Sequence, residues 1–337
     1  MGGVKTSLLV HPDEFTDRWI DRAVQLGLDN LSMHPVGGDG AAHSLAALLE
    51  DLEKPAFRAR IDRAKALGLD VGYEMHAASW LLPRELFKTH PEYFRMDDRG
   101  NRCSNVNFCV SNAEAMDVVA KRAVELAGRL YGCGHRYFFW RDDMGDGGCR
   151  CEKCRDYSAS DQQLLFVNRV VTELRKSIPD AQLCYLAYGK TVNPPVRIHP
   201  APGVFLEYAP IARDRGRPLA DQKNDQIKSL KALFDKFDMK SARVLEYWFD
   251  NSLYSRWTKP PRQFCPTNDV IRSDIKFYRE IGFTDISSFA CYLGDDYESR
   301  WGAPDVSAFD RKAVGSCDDH CVIESHRGLK GRTQVVE

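Results

Sequence analysis

The amino-acid sequence predicts an α/β protein built as a (β/α)8 TIM barrel. Eight short apolar segments rich in β-branched and aromatic residues recur along it, amphipathic helical stretches separate most of them, and 337 residues are enough for eight such units with long loops. Parallel strands cannot be joined by tight hairpins, so strands alternating with helices imply right-handed crossovers, and closure into a barrel is the simplest arrangement. An open doubly wound sheet is the competing arrangement. It would serve a nucleotide through a GxGxxG or GxxxxGK turn, and neither follows the first strand.

Thr6 to Val10 reads as the first strand, and Asp13 to Leu26 as its helix, with Phe15, Trp19, Ile20, Ala23 and Val24 at helical spacing and Gly27 as stop. Asn30 to His34 is the second strand, followed by a helix over Ala56 to Leu67 that starts after Pro55 and ends at Gly68. Val71 to His76 is the third. An irregular stretch separates it from a helix at Ala113 to Leu130, where Ser111 and Glu114 form a candidate capping box. Tyr137 to Trp140 and the helix Gln162 to Arg175, capped from Ser160 or Asp161, form the fourth unit. Leu183 to Tyr188 is the fifth strand. The Pro-rich connection Val192 to Pro202 cannot hold a crossover helix, so the unit before the sixth strand, Val204 to Tyr208, is irregular. A helix over Asp225 to Phe237, a strand over Arg243 to Phe249, a helix over Val270 to Ile281 and a strand over Ile286 to Tyr292 complete the set. The barrel then occupies residues 1–300. Residues 301–337 read as a partly ordered tail, polar and without period from Cys317 to Glu337.

Hydrophobic residues at 43% and charged residues at 28% are ordinary globular usage, and a formal charge of -1 gives no electrostatic reason to expect nucleic acid or an anionic membrane. No apolar run approaches the roughly 20 residues that span a bilayer, and Met1 to Lys5 lacks a secretory apolar region. Eleven cysteines without framework spacing, several of them in apolar strands such as Cys184 and Cys291, read as reduced thiols. The expectation is a protein with a small or neutral partner that stays in the cytoplasm, the alternative being one whose leader was removed.

In a barrel of this kind the reactive groups stand at the C-terminal strand ends, where the loops converge on one mouth. Those positions hold His34; Glu74 and His76; Asp142 and Asp143; Tyr185 and Tyr188; Glu207 and Tyr208; Glu246, Tyr247, Trp248 and Asp250; and Tyr292, Asp295 and Asp296. Carboxylates and aromatics suit a carbohydrate, whose ring faces stack on Trp or Tyr while its hydroxyls need acceptors and donors. Glu74, His76, Tyr188, Glu207, Tyr208, Tyr247, Trp248 and Asp250 are therefore expected to bind substrate. The adjacent Asp142 and Asp143 repel, and a site can exploit this by protonating one of them; the plain alternative is an acidic loop, with Asp146 close by. Cys149, Cys151 and Cys154 form CxCxxC, three thiolates for a structural zinc if Cys133, His135 or Cys109 supplies a fourth donor, or else plain thiols. No cofactor is expected in catalysis itself.

The segment WRDDMGDGGCRCEKC at Trp140 to Cys154, with SASDQQLLFVN at Ser158 to Asn168, LAYGKT at Leu186 to Thr191, EYAPIARD at Glu207 to Asp214 and EYWFD at Glu246 to Asp250, resembles a bacterial TIM-barrel family of unknown function. The family is related to endo-β-N-acetylglucosaminidases and hexosaminidase-like glycoside hydrolases. The resemblance implies cleavage of an N-acetylhexosaminide by substrate assistance, with Asp142 orienting the N-acetyl group and Asp143 as general acid/base; the usual acid in such pairs is Glu, and here it is Asp. A two-carboxylate retaining reaction would instead pair Asp143 with Glu246. A barrel that binds carbohydrate without turning it over, or a zinc-stabilised interaction module, is the reading from a different class, since a fold alone does not establish an activity.

Overall fold

The computed structural model describes residues 4–143, 147–222 and 225–311. Asp146, the tail from 312 onward and the start of the chain therefore lie outside the described residues. Eight parallel strands close a barrel: β1 (Lys5–Val10), β2 (Asn30–Met33), β3 (Asp70–His76), β4 (Arg136–Trp140), β5 (Gln182–Tyr188), β6 (Val204–Ala209), β7 (Arg243–Glu246) and β8 (Asp285–Phe289). Neighbours pair in sequence order, and β1 closes on β8 with Leu9 opposite Phe289. The fold is that of a TIM barrel, as predicted.

The helices of seven or more residues are α1 (Asp17–Gln25), α2 (Ala41–Asp51), α3 (Pro55–Ala66), α4 (Ala113–Arg129), α5 (Ala159–Ser177), α6 (Asp225–Phe234), α7 (Asn268–Glu280) and α8 (Asp295–Trp301). α2, not among the helices expected from sequence, follows Gly40 without a side-chain cap and buries Leu45, Leu48 and Leu49. Two caps also differ from expectation. Asn112, not Ser111, caps α4 by accepting from the Ala115 amide at 2.9 Å. Ser158 caps α5, and Asp161 is its capping-box partner at the third helical position, not the cap. Between β5 and β6 there is only a single 3-10 turn, Gly189–Val192, as the Pro-rich connection required. A two-stranded ribbon, Arg95–Met96 with Arg102–Cys103, lies in the long excursion after β3. Among the described residues no helix is long and apolar enough to cross a membrane.

Strand alternation divides the core in two. Leu9, Phe138, Trp140, Cys184, Leu186, Phe205, Leu245, Tyr247 and Phe289 fill the barrel interior, while Leu8, Val10, Tyr185, Tyr208, Val244 and Trp248 pack outward against the helices. This parity decides which strand-end residues reach the mouth.

Candidate active site

At the C-terminal end of the barrel a cavity of about 420 Å³ opens between the strand ends, within the range of small-ligand sites. Its floor is a row of histidines from three successive strands. His11 Nδ1 bonds the His34 carbonyl at 2.8 Å, His34 Nδ1 bonds the Glu74 carbonyl at 2.8 Å, and His76 Nδ1 bonds the Arg141 carbonyl at 2.6 Å. A carbonyl only accepts, so each Nδ1 carries the proton. Burial, then the neighbouring His11 and His76, hold the His34 pKa well below its ordinary value. Neutral His34 therefore offers Nε2 as an acceptor.

Aromatic rings form the walls. Trp140 lies 5.4 Å from the His34 ring and 5.2 Å from His76, and Tyr247 stacks on Phe289 at 5.1 Å between centroids. Tyr292 and Trp257, both lining the mouth, have left-handed backbones with φ of 61° and 53°, and the Tyr292 hydroxyl donates to the Trp257 carbonyl at 3.3 Å. Non-glycine residues hold such conformations at a cost of order 1–3 kcal/mol each, a kind of strain that clusters at functional sites.

Among the described residues two carboxylates line the same mouth, and neither Lys nor Arg does. Asp143 is exposed and accepts from the Tyr188 hydroxyl at 3.1 Å, an interaction that, after burial, helps push the Tyr188 phenol upward. Asp250 is half-buried, and its desolvation pushes its carboxyl up; its Oδ1 accepts from the Ser252 hydroxyl at 2.5 Å and the Leu253 amide at 3.2 Å, capping the single turn Asn251–Tyr254.

The structure separates Asp142 from Asp143. Asp142 turns away from the main cavity and is occupied by the Ser79 amide at 3.1 Å, the Asn107 amide and the Arg84 guanidinium, while its own amide donates to Asn107 Oδ1 at 2.9 Å. It shapes the loop and lines a smaller cavity of about 70 Å³ that shares His76, Leu186 and Tyr188 with the mouth.

Glu246 also departs from expectation. It is fully buried behind β7, its Oε1 2.8 Å from Arg213 and accepting from the Tyr278 hydroxyl of α7 at 2.5 Å. An outward parity places it, with Tyr208 and Trp248, in the strand-helix layer. Trp248 Nε1 donates there to Asp274 at 3.1 Å. His76, Tyr188, Tyr247 and Asp250 do line the mouth. Asp295 and Asp296 instead pair with Arg18 and Lys259 near the start of α8.

Glu74 and Glu207 point inward but lie beneath the mouth. Arg243 Nη2 is 2.8 Å from Glu74, its Nη1 3.8 Å from Glu207 and its Nε 3.7 Å from Asp285, while Arg136 pairs Asp285 at 2.7 Å. Two guanidiniums face three carboxyls, so one proton makes the cluster neutral. Burial, then the Glu74 charge, pushes Glu207 up to about 8, against the pull of Arg243. A carboxyl raised in the folded state stabilises fully below its unfolded pKa, and that contribution is lost as pH rises through its folded pKa. Thermal unfolding should therefore show stability falling between about pH 4.5 and 8. The Glu207→Gln variant, still able to accept from Trp140 Nε1, should flatten that slope; an unchanged slope would remove Glu207 from the titration.

Four thiols gather beside the Asp142 loop. Cys109, Cys149, Cys151 and Cys154 are buried, with sulfurs all within 4.8 Å of one another. Of the fourth donors considered from sequence, Cys109 is the one present. Cys133 packs near Lys65 and Tyr73, and His135 bonds Asp180 at 2.7 Å.

The family model "Domain of unknown function (DUF4838)" matches residues 51–299. No curated protein matches the chain. Among solved structures it is similar to a GH36 α-galactosidase from Geobacillus stearothermophilus, with TM-score 0.52, 10% identity, and 93% of this chain and 41% of that one covered. A tri-modular GH5 endo-β-1,4-glucanase from Bacillus licheniformis gives 0.51, 11%, 93% and 59%. A GH18 chitinase from Pseudoalteromonas aurantia gives 0.50, 12%, 93% and 99%. These likenesses show the barrel fold, and the chain spans less than two thirds of the galactosidase and the glucanase.

Proposed function

The chain belongs to the DUF4838 family, and we propose that it hydrolyses the glycosidic bond of a neutral sugar, with Asp143 as general acid/base and Asp250 as the carboxylate facing it across the mouth. The observation that carries this reading is the lining of the mouth: two carboxylates from the ends of β4 and β7, aromatic walls and, among the described residues, no Lys or Arg. A pyranose ring would stack on Trp140 or Tyr247, with a hydroxyl donating to His34 Nε2. Asp143, oriented by Tyr188, would protonate the leaving oxygen and later deprotonate water. Both bonds of Asp250 fall on Oδ1, so Oδ2 is the atom available to attack the anomeric carbon.

A second reading keeps Asp143 and moves the nucleophile onto the substrate, as in the N-acetylhexosaminide reaction. Burial favours it, because a carboxyl pushed up is more readily protonated and less able to attack. In that case Asp250, not Asp142, would be the group placed to hold the acetamide.

Chromogenic glucoside, galactoside, glucuronide and N-acetylglucosaminide decide between them. With Asp250 as nucleophile, Asp250→Ala should lose about 10³-fold or more in kcat, and azide should restore turnover with release of a glycosyl azide. Under substrate assistance only N-acetylated glycosides would be cleaved, and azide would not rescue. No cleavage of any glycoside by the wild-type chain would count against both.

A further inference from the structure

We propose that Cys109, Cys149, Cys151 and Cys154 hold one zinc ion in a closed tetrathiolate site that fixes the loop carrying Asp143. Cys109 Sγ lies 3.7 Å from Cys151 Sγ and 3.8 Å from Cys154 Sγ. A Zn–S bond of about 2.3 Å gives a tetrahedral edge of about 3.8 Å, whereas a disulfide would bring two sulfurs to about 2.05 Å. Cys109 thus stands from Cys151 and Cys154 at the spacing of ligands around a common centre, and all four sulfurs lie within 4.8 Å of one another.

The surroundings match a thiolate cluster. The Met96 amide donates to Cys149 Sγ at 3.3 Å, Arg102 Nη1 is 3.9 Å from the same sulfur, and the Ser111 hydroxyl is 3.0 Å from Cys154 Sγ. Four thiolates around a divalent ion carry two negative charges, and the Met96 amide and the Arg102 guanidinium offset them. Gln162 of α5 holds the backbone of the loop by accepting from the Cys149 amide at 2.8 Å and donating to the Cys149 carbonyl at 3.1 Å and the Cys154 carbonyl at 3.3 Å. All four donors are protein sulfurs, so the coordination shell is closed, as in structural zinc sites, and leaves no open position for a substrate.

The link to the mouth is short. Asn107, two residues before Cys109, donates to the Gly147 carbonyl at 3.2 Å and grips Asp142 through its amide and Oδ1. A Cβ on Gly147 would collide with the Asn107 side-chain amide, so the close approach requires glycine there. The metal would tie the segments on both sides of Asp142, and Asp143 is the next residue.

Elemental analysis of the purified chain should find about one zinc per chain. The cobalt-exchanged protein should show thiolate-to-cobalt charge transfer and tetrahedral d–d bands. Titration with a mercurial should release the ion in step with four thiols, and chelation should lower Tm. Cys109→Ser should lose the metal while Cys133→Ser keeps it. A stoichiometry near zero with the four thiols freely reactive, or a disulfide among them by mass spectrometry, would overturn the site. Loss of turnover on chelation rests additionally on the glycosidase reading; metal content and the cobalt spectrum do not, so the two failures are distinguishable.

Discussion

Replacing Asp143 by Asn should lower kcat by about 10²–10⁴-fold and leave the affinity for a bound sugar nearly unchanged. The amide is isosteric and its oxygen still accepts from the Tyr188 hydroxyl, so the shape of the mouth is kept. What it cannot do is give a proton to the leaving oxygen. The loss should therefore be much smaller for a glycoside with an acidic leaving group such as dinitrophenolate, which departs without protonation. Because Asp143 is exposed and bonds Tyr188, another residue of the mouth, stability should change by no more than about 0.5 kcal/mol. The neighbouring substitution makes the control. Asp142→Asn weakens the pairing with Arg84 and should register first in Tm, since that carboxylate binds the loop and not the mouth. Full turnover by Asp143→Asn on an unactivated glycoside would remove it from the chemistry.

The barrel was legible in the sequence because period-two apolar runs and capped amphipathic stretches are local signals. The site was legible only in part, because a strand end offers two faces and residue type alone does not say which of them meets the mouth. Glu246 and Tyr247 are adjacent and both invite a functional reading. Arg243, buried in the interior, sets an inward phase that passes through Leu245 to Tyr247 and turns Glu246 outward. The same argument separates Glu207 from Tyr208. His11 escaped notice as a lone residue before Pro12; its signal was its place directly after β1, equivalent to His34 after β2. Cys109 could be named only as one of several donors, since nothing local connects it to a cluster 40 residues onward. Asp142 shows another limit: adjacency of two acids does not say that both face one cavity, and a guanidinium 58 residues away in sequence claims this one.

Replacing Glu246 by Leu should cost about 3–5 kcal/mol of stability, while the protein that remains folded keeps its turnover within about tenfold. Glu246 and Asp274 share Arg213, whose Nη1 lies 2.8 Å from the first and 2.6 Å from the second, all three side chains fully buried. Tyr278 donates to Glu246, and Leu219 and Trp248 donate to Asp274, so the network ties β7, α7 and the segment before α6 together. Leucine would leave the Tyr278 hydroxyl without its acceptor and Arg213 with one carboxylate, and the uncompensated groups carry the penalty. Thermal unfolding should shift on the order of 5–15 °C downward. Replacing Arg213, Glu246 and Asp274 together by apolar residues of similar volume should recover much of that loss, because the cost comes from breaking a buried network and not from lacking one. A Glu246→Leu protein with wild-type Tm and abolished turnover would return this carboxylate to the reaction and with it the pairing with Asp143 across β4 and β7.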